Sequence, residues 1–313
     1  MSDPIPFVYP TLLGLPTGTL SDLTPGAVAV MGASEATPYD AGEASHSAGG
    51  PAAVRAASRL LSGQLKQHDF DLGATLLREG TTMRDVGVDL GDVDTRVKTP
   101  DRNRERITAA VAQILEAGAI PVVLGGDDSV PIPVLAGFEG DGPVTVVQLD
   151  AHVDWGDEIR GERNGYGSPM RRVAEMPWVT DIVQIGIRGL GSGESWQHDD
   201  AKSWGSRIVS SREWHRHGAN TVLNEHLSAP GRCVLSIDCD GIDPAVFPAV
   251  AMPTPGGLSY EDCVDLFNGI AKRGTIAGLI LAEYVPERDD PQRLCALIAA
   301  RLAALAIGLI RGA

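Results

Sequence analysis

Val146-Val147-Gln148-Leu149-Asp150-Ala151-His152-Val153-Asp154 joins an apolar run to an acid, an imidazole and a second acid at alternate positions. Alternate side chains of a β-strand share one face. A strand that stays extended through Asp154 would therefore bring Asp150, His152 and Asp154 to one point. Groups of this kind crowded at a strand end repel one another and lose hydration unless a cation lies among them. The stretch reads as one part of a metal site, and completing it falls to other segments.

The pattern recurs. Cys233-Val234-Leu235-Ser236-Ile237 runs into Asp238-Cys239-Asp240, and Asp243-Pro244 then marks a turn. Ile120 to Leu124 is a strand followed by Gly125-Gly126-Asp127-Asp128-Ser129, where paired glycines let the backbone turn sharply beside a ligand. Ile276 to Tyr284 is the last strand and carries Glu283 near its end. Further strands are read at 27–32, 82–91, 182–188 and 207–209. Helices are read at 51–61, 101–118, 213–227, from a capping box at Ser259/Asp262 onward, and at 291–310. Strands alternating with helices mean βαβ units and a mainly parallel sheet covered on both faces. Ligands bind such sheets at the carboxyl ends of the strands. Asp127, Asp128, Asp150, His152, Asp154, Asp238, Asp240 and Glu283 all fall at or just past such ends.

A single aspartate at a strand end is most simply a helix cap or an Asx-turn. Two carboxylate clusters flanking a histidine call for more. Carboxylate-rich ligation suits hard or borderline divalent ions such as Mn²⁺. There are more carboxylates than one ion needs. That points to two ions bridged by shared carboxylates, with a water between them activated as hydroxide.

The chain has 313 residues, with 26 basic against 41 acidic and a formal net charge of -15. Nucleic acid and anionic membranes require basic patches, so neither fits as a partner. The balance suits a soluble protein and admits a small cationic substrate. No break in composition divides residues 27–313, which read as one domain behind an N-terminal extension, 1–26. Cys233, Cys239, Cys263 and Cys295 show no CxxC spacing, as expected of reduced thiols in a cytoplasmic protein. Residues 1–7 show no signal-peptide pattern. The apolar stretch 294–310 is interrupted by Arg301 and is too short to span a bilayer comfortably, so it reads as a buried or subunit-facing helix. His46, alone in a Gly- and Ser-rich loop, reads as a surface residue outside the metal site.

Gly-Gly-Asp-Asp-Ser (125–129), Asp-Ala-His-Val-Asp (150–154) and Ser-Ile-Asp-Cys-Asp-Gly-Ile-Asp-Pro (236–244) resemble the three signatures of the ureohydrolases, the arginase and agmatinase family. The resemblance extends to Gln184–Gly189, Thr254–Leu258 and the Glu283 strand, and is nearest to the agmatinase-like branch. It implies a three-layer α/β/α fold, trimeric or hexameric assembly, and a dinuclear manganese centre that hydrolyses a guanidino group to urea and an amine. Ni²⁺ and Co²⁺ are the alternative ions. By resemblance, Asp150 and Asp238 bridge the metals, Asp128 and Asp154 complete one, and His152 and Asp240 complete the other. Glu283 takes the place of the acid that holds the substrate guanidinium, whose planar fork pairs with a carboxylate bidentately.

The chain departs from the family pattern at two places. Asp128 stands where the family has a ligand histidine, giving five carboxylates and one imidazole. The added charge favours hard ions and makes a bridging water less acidic. Tyr166, in Tyr166-Gly167-Ser168, stands where the family often has a histidine for proton transfer. A phenol with an ordinary pKa of roughly 10 is a poor proton shuttle, so Tyr166 or a water is left to assist the leaving amine. The loop 155–164 is expected at the pocket mouth. Trp155 there either stacks on a planar cation or packs in the wall, and Asn164 is a candidate substrate contact. Two other readings remain in view. One is a non-catalytic subunit beside an active relative, in a hetero-oligomer. The other is hydrolysis of a formimino group with release of formamide.

Overall fold

The computed structural model describes residues 10–40 and 42–312. Its centre is an eight-stranded sheet. In chain order the strands are β1 (Val28–Ala33), β2 (Gly87–Asp92), β3 (Ile120–Gly125), β4 (Val144–Leu149), β5 (Val179–Ile187), β6 (Arg207–Ser210), β7 (Arg232–Asp238) and β8 (Thr275–Ala282). Across the sheet they run β2-β1-β3-β8-β7-β4-β5-β6. Every pairing between neighbours is parallel.

The sequences of these strands explain their depth. Val28 and Val30 of β1 face one apolar layer, while Ala29, Met31 and Ala33 face the other. Val147 and Leu149 of β4 divide from Val144 and Val146 in the same way. Both faces are apolar, as a parallel sheet buried on both sides demands. Helices Gly50–Ser62, Tyr260–Ala271 and Leu294–Ile310 cover one face, and Pro100–Glu116, Pro131–Ala136 and Pro169–Ala174 cover the other. The three-layer α/β/α arrangement expected from the sequence is therefore present. The helix Leu294–Ile310 is buried against this domain's own core through Ile298, Leu302, Leu305 and Ile307. Among the described residues no helix is long and apolar enough to cross a membrane.

Two boundaries need correction, and the N-terminal extension packs on the domain: Leu12, Leu13 and Leu15 are buried beside the helices Gly50–Ser62 and Leu294–Ile310. The Leu12 amide donates to Asp89 at 2.9 Å and the Leu13 amide to Ser58 at 2.8 Å. These leucines carry no helical or strand period, because packing and side-chain hydrogen bonds hold them rather than a ladder. Residues 1–9 of the expected extension lie outside the described residues. The reading of a strand from 82 fails at its start, where Thr82 and Asp85 form a capping box on a short helical turn, Met83–Val86. The helix read at 213–227 is two, Ser211–His217 and Ala219–His226, broken at Gly218 with φ +76°.

Candidate metal centre

The four strands at the middle of the sheet, β3, β8, β7 and β4, are consecutive neighbours. Their carboxyl ends carry Asp127–Asp128, Glu283, Asp238–Asp240 and Asp150–Asp154 respectively. Residues 155 positions apart in sequence thus meet along one short edge, where the Asp128 amide donates to Glu283 Oε1 at 2.9 Å.

All six expected ligands come together, in two groups. Asp150, His152 and Asp240 form one, and Asp128, Asp150, Asp154 and Asp238 the other, with candidate ligand atoms in each within 4.8 Å of one another. Asp150 belongs to both. The geometry differs from the strand alternation read in the sequence. β4 ends at Leu149, and Asp154 lies in the left-handed region at φ +50°. Convergence is achieved by a folded-back loop. Glu283 is also left-handed, at φ +63°, so two acidic residues of the site hold a conformation that non-glycine residues seldom adopt. The glycine pair at 125–126 likewise acts by close approach rather than by a left-handed turn. A Cβ on Gly126 would lie 2.2 Å from the Ser34 carbonyl oxygen.

Buried amides orient the shared carboxylate. Ser206 Oγ donates to Gln184 at 2.9 Å, Gln184 donates to Gln148 at 2.7 Å, and Gln148 donates to Asp150 Oδ2 at 2.6 Å. Asp150 Oδ1 accepts from the His152 amide at 2.6 Å. His152 Nδ1 lies 3.1 Å from Asp240 and 3.3 Å from Asp150. Arg188 donates to the carbonyls of Gly186, Asp240, Gly241 and Thr254, pinning the loop after β7 to the loop after β5.

The electrostatics call for a cation. Burial, and then the neighbouring carboxylates, push Asp150 and Asp238 well above the usual carboxylate range. Burial does the same to Asp128 and Asp154. Burial opposes charge on His152, but Asp150 and Asp240 prevail and raise it to about 11. Both side-chain oxygens of Asp128 are buried without a hydrogen-bond partner. An orphaned buried carboxylate is costly on its own and is an apt ligand for a cation. An oxygen-rich donor set with one imidazole fits hard or borderline divalent ions.

Four of the six candidate ligands, His152, Asp154, Asp238 and Asp240, line a cavity of about 340 Å³. Glu283 and Tyr166, expected in catalysis, both line it. Tyr39 packs on Tyr166 with ring centroids 4.3 Å apart. Two expected substrate contacts are elsewhere. Trp155 is 1% exposed, and its indole N–H donates to Asp200 at 2.7 Å, so it packs in the wall. Asn164 turns onto its own loop, its backbone N–H donating to Glu162 at 2.7 Å and its side-chain Nδ2 at 3.2 Å. In the same loop, Asp157 accepts from Arg172 at 2.8 Å. The loop lines the cavity through Ile159 and Arg160. His46, read as a surface residue, is the clearest omission. It lines the cavity, and its Nε2 lies 2.6 Å from Glu283 Oε2. No local pattern marks it, since its partner is 237 residues away.

This is a parallel α/β/α sandwich whose central strands end in two acidic clusters that share one aspartate and could each hold a cation. The chain belongs to the arginase family, whose sequence profile matches residues 28–308. It is 31% identical over 264 residues to the N(1)-aminopropylagmatine ureohydrolase of Thermus thermophilus, covering 83% of each chain. Against the mitochondrial agmatinase of Gallus gallus it is 32% identical over 206 residues, which are 64% of this chain and 60% of that protein. Among solved structures, the proclavaminate amidino hydrolase of Streptomyces clavuligerus superposes with a TM-score of 0.80 at 26% identity, over 96% of this chain and 97% of that one.

Proposed function

We propose that this protein is a dinuclear-metal amidinohydrolase that cleaves a guanidino C–N bond and releases urea and an amine. The observation that carries the reading is the pair of acidic clusters sharing Asp150, with the buried oxygens of Asp128 left without protein partners. Divalent ions held there, Mn²⁺ first and Ni²⁺ or Co²⁺ as alternatives, would supply Lewis acidity and a nucleophile from water near neutral pH. Asp150, Asp238, Asp128, Asp154, His152 and Asp240 hold them. Glu283 orients the guanidinium. Its Oε1 is fixed by the Asp128 amide and its Oε2 by His46, and each oxygen keeps a lone pair for a bidentate pairing with substrate. Tyr39 and Tyr166 wall the cavity beside it. Assembly as a homo-trimer or homo-hexamer and a cytoplasmic location belong to the same reading.

Purified protein loaded with Mn²⁺, Ni²⁺, Co²⁺ or Zn²⁺ is expected to bind two equivalents of ion and to release urea from at least one member of a guanidine panel. Metal binding without urea from any guanidine would overturn the reading. Formamide from a formimino substrate would replace it with the formimino alternative. Protein that takes up no metal and turns nothing over would favour the non-catalytic subunit.

The tail of the substrate is read from the mouth. Outside the clusters, Glu283 and His46, the described lining is Tyr39, Ile159, Arg160, Tyr166, Gln197, Met252 and small residues. Arg160 is the charged member of that described lining, while the carboxylates nearest the mouth, Asp40 and Glu43, line the adjoining recess. Arg160 and Gly161 both have positive φ at the tip of a two-residue turn closed by reciprocal hydrogen bonds between Ile159 and Glu162. The turn sets Arg160 over the opening, where its contact to exposed Asp40 is loose at 3.6 Å. A guanidino acid therefore fits better than the agmatine that the family resemblance favours. The kcat/KM ratio of 4-guanidinobutyrate to agmatine is expected to exceed one, and Arg160→Ala to lower that ratio about fivefold, the scale of an exposed charge contact. A preference for agmatine that Arg160→Ala leaves unchanged would remove Arg160 from the specificity account.

A further inference from the structure

We propose that His46, on the loop between β1 and the helix Gly50–Ser62, carries the proton to the leaving amine. The inference rests on the amidinohydrolase reading and adds the acid which that reading lacks.

Expulsion of an amine from a carbon bearing three nitrogens requires a proton on the departing nitrogen. Tyr166 is poorly suited to give it. Burial, and then the charge of Glu283, raise its hydroxyl above the ordinary phenol range. The imidazole is better placed. His46 Nε2 lies 2.6 Å from Glu283 Oε2. A guanidinium paired with both oxygens of Glu283 would put one of its nitrogens on the oxygen that His46 already contacts. Tyr166 stands edge-on to the imidazole, centroids 5.4 Å apart at 87°, and Tyr39 backs Tyr166 in turn. The side chain is 31% exposed, so the ring reaches solvent from its other edge.

The charged groups around His46 come from several elements. Glu283 follows β8, Asp127 follows β3, and Arg288 lies in the turn beyond Glu283. Glu35 lies at the start of the His46 loop, and Asp40 and Glu43 line the same recess. Burial opposes a charged imidazole, but Glu283 and Asp127 outweigh it, and Arg288 acts against them; the net effect favours the proton-bearing form.

The step balances. The C–N bond breaks with its electron pair passing to nitrogen. That nitrogen takes the proton from His46 Nε2, leaving neutral imidazole. His46 regains a proton from solvent, matched by the proton the attacking water gives up. A histidine in this role needs no sequence neighbour among the ligands, which is how a chain with tyrosine at 166 would retain an acid.

The test compares wild type, His46→Gln and His46→Ala, each loaded with Mn²⁺ and checked for equal metal content. His46→Gln keeps an N–H donor for Glu283 but has no proton acidic enough to transfer. Its kcat is expected to fall about 100-fold with KM changed little, the usual scale of general-acid catalysis. Added imidazole should restore His46→Ala and leave His46→Gln unrescued. The loss should be smaller for phenylguanidine, whose leaving amine departs with less proton assistance. A His46→Gln kcat within threefold of wild type would overturn the inference. So would a rise in KM with kcat preserved, which would make His46 only a positioning residue for Glu283. In either case an active wild type leaves the amidinohydrolase reading standing. A wild type that binds metal but releases no urea overturns both.

Discussion

Asp150→Asn is expected to suppress turnover and to separate two opposed contributions to stability. Asp150 is the one residue common to both acidic groups, so its loss would weaken both proposed ion positions at once. Metal assistance is worth several kcal/mol at the transition state, and at about 1.4 kcal/mol per tenfold the expected fall in kcat/KM is on the order of 10³-fold or more. The effect on the metal-free protein has the other sign. Asp150 is 0% exposed and crowded by Asp154 and Asp240. An amide of the same shape removes a buried like charge and still accepts from the His152 amide, which outweighs the loss of its acceptor for Gln148 Nε2. Metal-free Asp150→Asn should therefore melt above metal-free wild type. With Mn²⁺ the order reverses, because wild type gains about 4 kcal/mol at a thousandfold excess over its dissociation constant and the variant gains little. Paired thermal scans with and without metal check this. A metal-free variant that melts below wild type would mean that Asp150 is held by its hydrogen bonds alone, and the cation argument would lose its basis.

The same site shows what a sequence can carry. The identities of the six ligand candidates were legible because each follows an apolar run, and parallel strands put such ends on one edge. The reason they converge was not. Period-two alternation places Asp150, His152 and Asp154 together only if the strand continues, and it stops at Leu149. The loop does the work through the left-handed turn at Asp154. That turn also redirects the chain, so that Trp155, adjacent to a ligand in sequence, enters the core beside Trp204 instead of the cavity. Adjacency to a motif is informative along a strand and misleads across a reversal. His46 fails in the opposite direction. Its place depends on the β1 loop crossing the end of β3 to reach β8, a tertiary relation with no local signature. Leu12, Leu13 and Leu15 were missed for a related reason. Irregular backbone can be deeply buried when side chains satisfy its amides, and those partners, Asp89 and Ser58, lie far along the chain.

Asp89→Ala is expected to cost about 3–5 kcal/mol, the range for removing one partner from a buried ion pair. Asp89 is 1% exposed and accepts from Arg55 Nε and Nη2, each at 2.9 Å, as well as from the amides of Leu12 and Gly91. Truncation leaves the Arg55 guanidinium buried with only half-exposed Asp92 as a charged partner, and leaves the Leu12 amide without an acceptor. For a domain with a net stability of roughly 5–15 kcal/mol this is a large fraction. The penalty comes from the orphaned charge rather than from the worth of the pair, and that distinction is measurable. Replacing both partners with apolar residues, Asp89→Leu with Arg55→Met, removes the stranded charge and should recover much of the loss. Urea unfolding of the two single variants and the double variant gives the coupling. Hydrogen exchange at Leu12 should lose protection in Asp89→Ala, because the N-terminal segment docks through that amide. Metal stoichiometry should be unchanged, since Asp89 lies on β2 at the edge of the sheet while the ligands follow its central strands. A double variant no more stable than Asp89→Ala would show that the carboxylate acts through the Leu12 and Gly91 amides, not through Arg55.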